Sequence, residues 1–111
     1  MKKDIAESVQ HAVRDFTARL RDRFPKEIDG IRLYGSVARG TATKDSNVDI
    51  LVLVKKRTEA TEETIINLVC DVLNEHGVFI ETVTMTSADY KKALNCQYPF
   101  TLNVERDSVA L

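Results

Sequence analysis

Two short stretches of the chain concentrate residues able to do chemistry. The first is Leu33-Tyr34-Gly35-Ser36-Val37-Ala38-Arg39-Gly40, where a glycine and a serine fall at the expected junction of a strand and a short turn or helix. Backbone N–H groups at such a junction point outward, and the missing Cβ of Gly35 would let a phosphate approach them closely. The Ser36 hydroxyl adds a donor and Arg39 a positive charge. The segment is not a Walker A loop, since no Gly-Lys-Ser or Gly-Lys-Thr follows, and it is not the Gly-x-Gly-x-x-Gly of dinucleotide binding. By itself it is equally consistent with a plain Gly-Ser turn.

The second stretch is Lys44-Asp45-Ser46-Asn47-Val48-Asp49-Ile50-Leu51-Val52-Leu53-Val54. Residues two apart on a strand project to the same face, so Asn47 and Asp49 stand together at the start of an otherwise apolar run. An ionised carboxylate in such a run is costly unless it is paired or bound to metal. Grouped oxygen donors beside a phosphate cradle are what Mg2+ needs when a triphosphate completes its shell. Asp45 is a further carboxylate close by, in a loop that leaves it as readily solvated as engaged.

Positioning these groups requires a particular set of elements. Apolar residues from Ile5 through Val9, Ala12, Val13, Phe16 and Leu20 to Phe24 recur at helical spacing, and Pro25 follows where that helix should stop. Gly30 opens a short strand ending at Tyr34, and Val48–Val54 reads as a central strand covered on both faces. A second long helix is expected over 61–76, with acids in its first turn and His76-Gly77 at its end. Val78–Met85 alternates as a third strand, Ser87 is placed to cap a short helix through Leu94, and Pro99 restarts a segment in which Phe100, Val104 and Val109 pack back on the core. This order predicts one small α/β domain over 1–111, a mixed sheet of three or four strands flanked by helices.

The composition narrows the classes of function. With 111 residues, 43% hydrophobic and 30% charged, the chain has the make-up of one compact soluble domain. No apolar run approaches the ~20 residues that span a bilayer, so membrane and secreted locations are not expected. Sixteen Lys and Arg stand against seventeen Asp and Glu, which supplies no bulk field for holding a nucleic-acid backbone. Cys70 and Cys96 lack any metal-site or disulfide spacing and read as reduced thiols in the cytoplasm. His11 and His76 suit helix positions rather than ligation, Lys55-Lys56-Arg57 reads as a solvated strand exit, and Met85, Tyr90 and Tyr98 read as packing.

Gly35-Ser36-x-Ala38-Arg39-Gly40 followed by Asp45-Ser46-Asn47-Val48-Asp49-Ile50-Leu51-Val52 resembles the signature of the minimal, MNT-type nucleotidyltransferases of the DNA polymerase beta superfamily. There the pattern is G-S-x-A-R-G, then S-D-x-D and hydrophobic residues. The leading helix, the long second helix and the tail from Pro99 to Leu111 are also similar to short prokaryotic members, so the likeness extends over essentially the whole chain. It implies binding of a nucleoside triphosphate, with ATP expected, together with Mg2+ or Mn2+, and transfer of a nucleoside monophosphate to an acceptor hydroxyl with release of pyrophosphate. By the same resemblance Gly35, Ser36 and Arg39 would serve the triphosphate, and Asp49 and Asn47 would serve metal. Glu81 falls where active relatives carry a third carboxylate, although an exposed strand residue is the plainer alternative.

Asn47 departs from the pattern: it stands where the family has its first metal carboxylate, and a neutral amide brings one usable oxygen and no charge. Two readings of function follow. One is an enzyme modifying a protein or small-molecule hydroxyl, completed by a partner such as the HEPN-type helical proteins that pair with antitoxin members of the resembled family. The other is an impaired, antitoxin-like module that keeps nucleotide or partner binding, with apolar surface available for a homo-oligomer. An unrelated small regulatory domain is a third.

Overall fold

Helix α1, Glu7–Arg23, buries Ala12, Val13, Phe16 and Leu20, the residues its periodicity marks out, and closes with the Phe24 N–H on the Leu20 carbonyl just before Pro25. Strand β1, Ile28–Tyr34, begins two residues ahead of Gly30 and runs directly into α2, a single turn at Gly35–Arg39 that ends on the left-handed Gly40. Strand β2 is Val48–Val54, as its β-branched run predicts. Helix α3, Glu59–His76, starts before Thr61 because Thr58 caps it, the Thr58 hydroxyl accepting from the Thr61 N–H at 3.1 Å. Gly77 ends it in the left-handed region. Strand β3 is Ile80–Thr86, helix α4 Ser87–Asn95, helix α5 Pro99–Asp107 and strand β4 Val109–Ala110. This computed structural model describes residues 6–43 and 47–111; the expected beginning of the first helix at 3–5 and the Asp45 carboxylate lie outside them.

Two expectations are corrected here. The cap of α4 is Thr86, whose hydroxyl accepts from the Asp89 N–H at 3.0 Å, while the Ser87 hydroxyl turns away to donate to Asp29. Tyr98 does not pack inside: it is 56% exposed, because the chain reverses at the surface there, between Gln97 in the left-handed region and Pro99 at the start of α5.

The strands form one mixed sheet in the order β3-β2-β1-β4, with β2 parallel to β3 and β1 antiparallel to both β2 and β4. Alternation sends Ile31, Leu33, Ile50, Val52 and Val54 to the face packed by α1 and α3, the larger of two apolar clusters. Leu51, Leu53, Val83 and Met85 face the other way, beneath α4 and α5, where they pack with Tyr90, Leu94, Phe100 and Val104. Each large side chain fully buried in either core contributes roughly 1.5–3 kcal/mol. No described helix is long and apolar enough to cross a membrane.

Candidate functional site

The second face changes character at one end. Tyr34 pairs with Asp49 across β1 and β2, and Asp49 pairs with Glu81 across β2 and β3. Adjacent strands lie about 4.8 Å apart, and paired residues project to the same side. The two carboxylates are therefore neighbours on one edge of the sheet, with Tyr34 beside them. Asn47, the residue just ahead of β2, donates from Nδ2 to Glu81 Oε2 at 3.3 Å. The structure thus gathers Asn47, Asp49 and Glu81 into one corner, although 34 positions separate the first and last in the chain.

Gly35 forms the floor of that corner. Its φ is +78°, a conformation costly for residues with a Cβ, and the space a Cβ would need is taken by Asp49. A Cβ built there lies 3.1 Å from Asp49 Cγ and 3.3 Å from its Cβ, and it overlaps Oδ2 outright. Only glycine lets the turn into α2 pass beneath the carboxylate. Ser36 follows at the first turn of α2, where backbone N–H groups have no intrahelical acceptor and no side chain caps them. Val37 and Ala38 are buried and anchor the turn on the apolar core, which leaves Arg39 exposed at its end.

The electrostatics set Asp49 apart. Burial raises its carboxyl above the usual range, the charge of Glu81 raises it further, and Arg39 works in the opposite direction. Tyr34 responds to the same surroundings: burial first, then Asp49 and Glu81, push its phenol up to about 12. Its ring meets Phe100 of α5 edge-on, with centroids 5.3 Å apart, which ties the wall of the corner to the C-terminal helix. Tyr34 and Phe100 were not singled out by sequence as neighbours of the acids; the position of Tyr34 directly before Gly35, on the strand facing Asp49, is the signal that could have found the first.

Hard oxygen donors whose negative charge is disfavoured on balance by burial and a neighbouring carboxylate are chemically suited to a divalent cation. Among the described residues no group of three or more His, Cys, Asp or Glu is placed to hold a metal ion, so a cation in this corner would rest on two carboxylates and take its remaining ligands from an amide, water or substrate. The histidines lie elsewhere: His76 Nε2 sits 2.8 Å from Asp15, and His11 lies 3.7 Å from Glu7. Lys55 and Arg57 are engaged with Asp29 and Glu62, so two of the three strand-exit cations already have acidic partners.

Comparisons with known proteins agree on one group. A family model described as a nucleotidyltransferase domain matches residues 13–95. A curated "putative protein adenylyltransferase" of Methanocaldococcus jannaschii is 27% identical over 89 residues, covering 80% of this chain and 85% of the relative. A solved structure described as a "putative minimal nucleotidyltransferase" superposes with a TM-score of 0.60 at 25% identity, with 93% of each chain covered. A chain from the crystal structure of the toxin–antitoxin MntA–HpeT shares the fold with a TM-score of 0.56 at 18% identity, over 88% of this chain and 70% of that one.

Proposed function

This chain belongs to the nucleotidyltransferase domain family, and from that premise we propose that it transfers a nucleoside monophosphate, adenylate first among the candidates, from a triphosphate to a hydroxyl on a protein partner. The observation that carries the reading is the contact between Gly35 and Asp49: a turn with no room for a Cβ lies directly under a carboxylate whose charge Arg39 offsets less than burial and Glu81 oppose it. Protein acceptors are favoured because the curated relative is described as a protein adenylyltransferase, and a helical HEPN-type partner fits the fold shared with a toxin–antitoxin chain.

In this reading the N–H groups at Gly35 and Ser36 and the Ser36 hydroxyl hold the triphosphate, and Arg39 adds positive charge to that loop. Asp49, Glu81 and the Asn47 oxygen would hold Mg2+ or Mn2+, which when bound supplies charge neutralisation for the triphosphate. Glu81, the more exposed of the two acids, takes the proton of the acceptor hydroxyl as its oxygen attacks the α-phosphorus. The bond from the α-phosphorus to the oxygen bridging it to the β-phosphate breaks, and pyrophosphate leaves with that oxygen.

A second reading rests on the hydrogen bond from Asn47 to Glu81. An amide at this place brings no charge and occupies one oxygen of the candidate base, which suits a module that binds nucleotide or partner without turning over. Incubating the chain with α-labelled ATP, Mg2+ or Mn2+ and a lysate of the source organism separates the two. Transfer of label to a protein band, lost in Asp49→Ala, supports the enzyme. Saturable ATP binding with no transfer, in the natural chain and in Asn47→Asp alike, favours the module.

A further inference from the structure

The two edges of the sheet are built differently. β4 closes one side with two residues, a short edge that offers another strand little to pair with. β3 closes the other with seven residues in unbroken register with β2, and Ile80-Glu81-Thr82-Val83-Thr84-Met85-Thr86 contains no proline or lysine and a single charge. The Val48 N–H donates to the Phe79 carbonyl at 3.3 Å, so residue 79 turns its backbone toward β2. Direction alternates along a strand, and the N–H and C=O groups of Thr82 and Thr84 therefore point away from β2. Among the described residues no strand lies there to receive them. Helix α3 adds a second unpartnered feature. Its Glu75 bonds Arg19 of α1, and on the opposite flank Ile66, Cys70 and Leu73 recur at helical spacing. Ile66 is 60% exposed, Leu73 40%, and Phe79, where the chain passes from α3 into β3, 46%.

We propose that this edge joins a second copy of the chain about a twofold axis at Val83, with β3 pairing antiparallel to β3 and the two α3 stripes meeting beside the joined strands. The sequence of the strand selects that occupant. Thr82-Val83-Thr84 reads the same in both directions. Antiparallel pairing about its centre sets Thr82 opposite Thr84, where the outward backbones exchange hydrogen bonds, and Val83 opposite Val83, a favourable β-branched pair. The same register sets Glu81 opposite Met85, so the one charge on the strand meets a thioether and not its own copy. The apolar stripe on α3 is likewise self-complementary under that axis, as an isologous contact requires. The inference stands apart from the transferase reading, yet it brings Met85 of the second copy beside Glu81 and makes each corner part of the interface.

Sedimentation equilibrium of the full chain at micromolar concentrations should give twice the 12.5 kDa of one copy. Thr84→Pro removes an outward N–H and spares the ladder to β2, since proline is tolerated where an edge strand faces solvent; it should sediment as a single copy with unchanged circular dichroism. Leu73→Lys, at an exposed helix position, should weaken association at least about 10-fold without loss of fold. Val83→Cys, in a chain that also carries Cys70→Ser and Cys96→Ser, reads the register. Residues facing across a non-hydrogen-bonded pair lie about 4.5 Å apart at Cα, within reach of a disulfide, so oxidation by diamide should link two copies. Thr82→Cys in the same background stands more than about 7 Å from its own copy and should not link. A natural chain that stays single throughout overturns the proposal and leaves the edge to a different protein. A dimer that keeps its affinity in Leu73→Lys, or that links as readily through position 82 as through 83, places the interface elsewhere and overturns it as well.

Discussion

Asp29 and Asp49 sit toward opposite ends of the same pair of strands, and their surroundings could hardly differ more. Asp29 lies where β1 begins and β2 ends, at an irregularity in the pairing between Ile28 and Gly30. Lys55, the residue after β2, and Ser87, at the start of α4, both bond its carboxylate and hold its pKa below the usual range. Asp49 lies where β2 begins. Burial and a second carboxylate raise it, and the residue beneath it is a glycine. A carboxylate whose charge the fold has satisfied acts as a fastener, joining three elements that are distant in sequence. One whose charge the fold, even with Arg39 nearby, leaves disfavoured on balance holds free energy that a bound cation or substrate can recover, and that difference separates the fastening end of the sheet from the chemical one.

The sharpest way to break this contrast is Gly35→Ala. The methyl group occupies the place of Asp49 Oδ2, and the left-handed backbone adds about 1–2 kcal/mol of strain for a residue with a Cβ. Either the turn into α2 or the carboxylate must move, and a displacement on the order of 1 Å costs about 100-fold in rate. Label transfer, or triphosphate binding if transfer is absent, should fall at least about that much while circular dichroism still reports the fold. Full retention would mean that the close approach of Gly35 and Asp49 is only packing.

Next in size is the pair Asp49→Asn and Asp29→Asn, which should move stability in opposite directions. Because the folded state raises the Asp49 carboxyl, its ionised form opposes folding at neutral pH, and that penalty fades as protonation proceeds on acidification. Asp49→Asn is therefore expected to unfold at higher urea than the natural chain at pH 7, with the gap closing near pH 3, while transfer falls at least about 100-fold. Asp29 has the reverse linkage. Its folded pKa is lowered, so its contribution is present above the unfolded value of ~3.9 and is lost as pH falls through the folded one. Asp29→Asn should unfold at lower urea at pH 7 and converge on the natural chain in acid. Shifts of the same sign would remove the distinction between the two ends.

The chemical end was far more legible in the sequence than the fastening end, for a physical reason. Asp49 announces itself as the one charge in an apolar strand, and Gly35-Ser36 as a break between strand and helix; both are local patterns, and the mixed sheet follows from the order of such segments. Glu81 could be placed only through the family resemblance, which expects a carboxylate on the strand after the long helix; that this strand runs parallel to β2 and sets Glu81 beside Asp49 is seen only in the fold. The bond between Lys55, Asp29 and Ser87 has no local signature, since it joins residues 26 and 58 positions from the aspartate through the topology alone. The same holds for β4, two residues paired with β1, and for Asn47 reaching Glu81. Ser87 was expected to cap α4 because serine is a favoured cap residue, but the bond to Asp29, which has no local signature, takes its hydroxyl and leaves the cap to Thr86.

The smallest expected effect isolates backbone strain from site chemistry. Gly35 and Gln97 both occupy the left-handed region, at φ of +78° and +56°. At Gly35 a side chain would meet Asp49, whereas Gln97 already carries one and sits in the surface turn between α4 and α5, its N–H bonded to the Leu94 carbonyl at 2.9 Å. Gln97→Gly keeps that bond and relieves the left-handed penalty, a gain that the larger entropy of an unfolded glycine partly offsets. Urea unfolding should show a net change below about 1 kcal/mol, on the stabilising side, with triphosphate binding unchanged. A loss of binding would mean that the turn between α4 and α5 reaches the corner through Phe100 and Tyr34, and the two ends of the sheet would then be less independent than their carboxylates indicate.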